Sequence, residues 1–75
     1  MENNLIMFNS MTTVMKARDL LRRHGIMSRT VRTPAHLRNR SCGYSLVVNR
    51  EFGRAIDILK NNRISIVGVD AVDFP

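Results

Sequence analysis

NLIMFNSMTTVMKARDLLRRHG, residues 4–25, changes its periodicity part-way along, and that change sets the reading of everything after it. Asn4 to Asn9 is a continuous apolar run of strand length, the pattern of a strand buried on both faces. From Ser10 the apolar residues Met11, Val14, Ala17, Leu20 and Leu21 fall on one helical stripe, with Lys16, Asp19, Arg22 and Arg23 opposite, so an amphipathic helix follows the strand. Ser10 offers an N-cap hydroxyl and Gly25 a stop. His24, beside that glycine, sits where a residue caps the last carbonyls and complements the helix dipole.

The same alternation returns downstream. Ser28 to Thr33 (SRTVRT) is a β-branched strand that Pro34 ends, and Tyr44 to Val48 (YSLVV) is a second strand, the two making a hairpin with a long connection. Asn49 is read as the cap of a second helix, with Glu51 in its first turn and Phe52, Ala55, Ile56 and Leu59 on its apolar stripe. Gly53 weakens that helix, Asn61 or Asn62 ends it, and Ile64 to Val72 (ISIVGVDAV) supplies the last strand.

Strand, helix, strand, strand, helix, strand predicts an α+β, ferredoxin-like βαββαβ sandwich, a four-stranded antiparallel sheet with both helices on one face. Val14, Ala17, Leu21, Phe52, Ala55, Ile56 and Leu59 are expected to face the sheet. The sheet's second face is left open in such a unit. Apolar residues there must be tolerated, used for binding, or covered by a partner, and the expected form of that partner is a homodimer through the open face or an edge strand.

At 75 residues the chain reads as a single domain, 1–75, near the size at which folding hides only roughly 60% of the unfolded chain's surface. Its one cysteine cannot form an internal disulfide, which suits a reducing cytoplasm. The opening MENNLIMF has an acidic residue, no basic segment and only a short apolar run, and so is read as neither a signal peptide nor a membrane span. Twelve Lys and Arg, mostly arginine, stand against six Asp and Glu. That balance favours contact with nucleic acid, anionic lipid or acidic protein surfaces without choosing among them.

Cys42 is the residue with chemistry to explain. It lies in RNRSCGYSL, residues 38–46, inside a basic loop and outside any apolar stripe. Nearby positive charge favours the thiolate, the nucleophilic form, and Gly43 would leave the backbone N–H and the sulfur open to a reaction partner. The plainer alternatives are a small core side chain at Cys42 and a simple turn at Gly43. His36, six residues away, has no orienting acid nearby and reads as a solvated loop histidine, not as a member of a nucleophilic triad. One cysteine and two histidines at unrelated spacings give no metal signature, and no cofactor is implied. Met11 and Met15 are explained by helix packing.

The stretch HGIMSRTVRTPAHLRNRSCGYSL resembles the signature of a small bacterial family, the selenium/sulfur carrier-like proteins. In that family a helix-ending glycine, a short strand, a Thr-Pro turn, a serine-containing loop and a Cys-Gly pair follow in order. The resemblance runs over nearly the whole chain and picks out Gly25, Thr33, Pro34, Ser41, Cys42 and Gly43. It implies a compact α+β carrier, not a stand-alone enzyme, that accepts a chalcogen on Cys42 from a donor protein and passes it to an acceptor. Two departures stand out, Arg32 where the family tends to proline and Ala35 where it tends to arginine. Arg32, His36, Arg38 and Arg40 are candidates to replace the missing charge, with Arg38 and Arg40 favoured.

Two other classes of function fit such a fold, since fold alone does not decide function. In the RNA-recognition module the corresponding strand carries stacking aromatics. Here CGYSLVVN offers Tyr44, but Leu46 and Asn49 at the other aromatic positions and Ile6 on the facing strand, so sequence-selective RNA reading is not favoured. The third class is a binding or regulatory module that holds a small ligand or protein without covalent chemistry.

Overall fold

The computed structural model describes residues 2–40 and 42–73, without the side chains of Asn39 and Arg40. Strand β1 is Leu5–Met7, helix α1 Met11–Arg23, β2 Arg29–Arg32, β3 Tyr44–Val47, helix α2 Phe52–Asn61 and β4 Gly68–Asp70. Between β2 and β3 a 3-10 helix spans Ala35–Arg40. The four strands form one antiparallel sheet in the order β2-β3-β1-β4, the ferredoxin-like α+β arrangement that the element order predicts. Across the middle of the sheet Thr30, Leu46, Ile6 and Val69 lie in register.

The two helices are terminated alike. Ser10 caps α1 through its side chain, which accepts from the Thr13 N–H at 3.2 Å. At the other end the Ile26 N–H reaches the Leu21 carbonyl and the Gly25 N–H that of Arg22, a Schellman closure with Gly25 at φ 79°. Helix α2 closes with the same pair of bonds, Ile64 to Leu59 and Arg63 to Lys60, but the left-handed residue is Arg63, at φ 60°. Its start differs from the expected one. The N-cap is Glu51, not Asn49, at φ 55° and with no side-chain capping bond, because the Glu51 carboxylate turns instead to Arg54 at 3.3 Å.

Beneath the helices lies the larger core: Ile6 and Phe8, Leu46 and Val48, Val14, Ala17 and Leu21 of α1, and Ala55 and Leu59 of α2. Five of the seven expected stripe residues are buried, whereas Phe52 and Ile56 are only partly so. Phe52 is the first residue of α2, where the chain arrives from solvent. The large aromatic at the centre is Phe8, fully buried just beyond β1.

The second face is not left open. Leu5, Met7 and Val47 form a separate core with Leu37, and Val31 and Val72 pack against it. Leu37 comes from the 3-10 helix, whose Leu37 N–H bonds to the Pro34 carbonyl at 2.9 Å. Val72 is held by Asn4, whose side-chain amide donates to the Val72 carbonyl while its oxygen accepts from the Val72 N–H, both at 2.8 Å. This is the cover that the apolar run through β1 calls for, and the chain supplies it itself. The last strand is shorter than the expected Ile64–Val72: Ile64 still closes α2 through its N–H to the Leu59 carbonyl, and after Asp70 the chain leaves the β1 ladder for the Asn4 side chain.

Candidate functional site

The loop from β2 to β3 is tied down at its base. The Thr33 N–H bonds to the Gly43 carbonyl at 2.8 Å, extending the β2–β3 pairing by one step past Arg32 and Tyr44. Below that bond the hydroxyls of Thr33 and Ser45, both fully buried, lie 2.6 Å apart. Each satisfies the other in a place where an unmet hydroxyl would be costly. Pro34 then starts the 3-10 helix, and the Arg38 Nε returns to donate to the Thr33 carbonyl at 2.9 Å.

Cys42 sits in the bend before β3. Its N–H donates to the Phe8 carbonyl at 3.0 Å, and its thiol lies 3.5 Å from the Tyr44 carbonyl, the acceptor of its S–H. This is a contact of the thiol, since a thiolate has no proton to offer a carbonyl. The side chain is free, half-buried, and packed against the core on the helix side. Gly43 follows at φ 96°, a conformation that side chains rarely adopt, although a Cβ there would meet nothing within 4 Å. The glycine is therefore demanded by the backbone and not by crowding.

Five of the residues singled out in the sequence, Arg32 among them, come together elsewhere. Thr33, Pro34, His36 and Arg38 line a cleft of about 490 Å³ that also includes Arg32 and the segment 71–73. Cys42 is not part of that lining. The loop thus contributes to both sides of the sheet, with Cys42 against the helix-side core and Leu37 in the second one. His36 is exposed, and among the described residues no ion pair involves it. Ser41 and the side chain of Arg40 lie outside the described residues. His24 caps α1 through its backbone N–H.

Asn4, Val72 and Asp73 belong to this region and carried no sequence signal. Asn4 reads simply as the polar first residue of the Asn4–Asn9 run, and its pairing with Val72 joins positions 68 residues apart. Arg32 stood out as a departure from the family pattern; its guanidinium carbon lies 6.0 Å from the centroid of the Tyr44 ring. No helix among the described residues is long and apolar enough to cross a membrane.

Residues 3–69 match the profile of the family described as "Putative Se/S carrier protein-like". No curated protein and no solved structure matches the chain.

Proposed function

The chain belongs to the Se/S carrier protein-like family, and from that premise we propose that it is a chalcogen carrier whose Cys42 holds one sulfur or selenium atom as a persulfide or selenosulfide. One observation carries the reading beyond the family: the single cysteine is free, half-buried, and placed in a bend beside a glycine of positive φ.

In loading, the Cys42 thiol loses its proton to water and gives up the Tyr44 carbonyl. The thiolate attacks the terminal sulfur of a donor persulfide, forming a new S–S bond at Cys42 while the donor's S–S bond breaks and the donor thiolate leaves with the electron pair. No oxidant or reductant is consumed, because the transferred sulfur exchanges one thiolate partner for another. Selenium moves by the same exchange, and an acceptor thiolate unloads the carrier by repeating it. The net charge of +6 favours an acidic donor, so transfer slows as salt rises. The chemistry belongs in the cytosol, where thiols are kept reduced.

Intact-mass analysis after incubation with a cysteine desulfurase and free cysteine tests the reading. The wild type should gain one sulfur atom, removable by reductant and transferable to an acceptor thiol, and Cys42→Ser should gain none. A wild-type protein that acquires no adduct from competent donors, or a Cys42 that alkylates only after denaturation, would return the cysteine to the core as a packing residue.

A further inference from the structure

We propose that the cleft between the end of β2 and the segment following β4 binds a small organic oxyanion, a carboxylate or a phosphate. Arg32, Arg38 and His36 line it together with Asp73, and Pro34 and Val72 give it apolar walls. The two arginines are positioned before any ligand arrives. Arg38 spends its Nε on the Thr33 carbonyl at 2.9 Å, which fixes the guanidinium plane and leaves the two terminal amino groups for a forked contact. Arg32 rests beside the Tyr44 ring, its guanidinium carbon 6.0 Å from the centroid.

Among the described residues no carboxylate forms an ion pair with either of them. The ion pairs among the described residues engage Arg18, Arg22 and Arg54 with Asp19 and Glu51, while Arg32, Arg38 and Asp73 form none. Three other arginines thus have carboxylate partners, and the two in this cleft line one concave surface together, within reach of a single ligand. A volume of about 490 Å³ exceeds what a bare anion needs and falls in the range of small-molecule sites. The charged group meets the arginines and the remainder of the ligand lies on Pro34 and Val72. Since Cys42 is not in the lining, the site goes beyond the carrier reading and stands without it.

The test is a ¹H–¹⁵N NMR titration with sodium phosphate and, separately, sodium acetate, at ionic strength held constant with sodium chloride. Saturable shifts confined to residues 32–38 and 71–73 are expected, with a midpoint of roughly millimolar order for a solvent-open site, and the anion with the lower midpoint identifies the charged group. Arg38→Gln should raise that midpoint about tenfold, and Arg32→Gln several-fold. Cys42→Ser and Arg54→Gln should leave it unchanged. If Arg38→Gln loosens the loop and its spectrum collapses, Arg32→Gln decides. Unsaturated drift spread over all the arginines, or a midpoint untouched by either glutamine variant, would overturn the proposal. Sulfur loading is read separately by mass, so the carrier reading and this one fail independently.

Discussion

The two faces of the sheet are closed by different kinds of structure. On one, two amphipathic helices lay repeated apolar residues over Ile6, Phe8, Leu46 and Val48. On the other, one leucine from a 3-10 helix and one valine clasped by an asparagine cover Leu5, Met7 and Val47. A helix announces what it buries by periodicity, whereas a loop buries whatever the topology brings beneath it. The helix side should therefore carry most of the stability. The thinly covered side is where the polar and cationic residues of the β2–β3 loop gather.

The sharpest way to break this contrast is to remove a large side chain from each core and compare urea midpoints. Phe8→Ala, at a fully buried position, is expected to cost about 3–5 kcal/mol, enough to unfold much of a domain this small. Phe52→Ala, at a partly buried position, should cost clearly less. Leu37→Ala should cost about 2 kcal/mol, the lower end for a buried leucine, because only one layer of loop lies above it. An unchanged midpoint in Leu37→Ala would mean that the second cluster is a covering without energetic weight.

A smaller effect isolates the polar base of the loop. Thr33→Val leaves the buried Ser45 hydroxyl without its 2.6 Å partner and should cost about 1–3 kcal/mol. Adding Ser45→Ala should recover part of that loss. A double variant no better than the single one would show that the threonine acts through its other contacts and not through the hydroxyl pair.

The smallest effect lies on the helix side, where the two Schellman closures differ in one residue. Arg63→Gly should raise stability by about 0.5–1 kcal/mol by relieving the left-handed arginine, net of the added freedom of the unfolded chain. Gly25→Ala should lower it by about 1 kcal/mol. Thermal melts of the two variants moving in the same direction would contradict the equivalence of the two helix ends.

Much of this molecule was legible before folding. The shift from a continuous apolar run to a helical stripe at Ser10 gave β1 and α1 with their cap and stop, and five of the seven stripe residues are buried as the spacing requires. The start of α2 was less legible, because Glu51 enters the helix through a left-handed turn that no capping residue marks. Cys42 and Gly43 were visible by type and by family resemblance. Their neighbours were less so: sequence placed Arg38 four residues from the thiol, but not the bond of its Nε to the Thr33 carbonyl or its place in the lining of a cleft that lacks Cys42.

Local patterning by itself determined the order of the elements, and that order left few ways to bury two helical stripes other than one antiparallel sheet. What covers the second face was decided only in three dimensions. Leu37 is one apolar residue in a polar loop, and Val72 reaches its place through Asn4, 68 positions away in the chain. Neither has a repeat that a local pattern could register. The same holds for the site: the residues of the β2–β3 loop are consecutive in sequence, but the sheet edge they fold around separates the cysteine from the arginine cleft, and only the packed sheet defines those two sides.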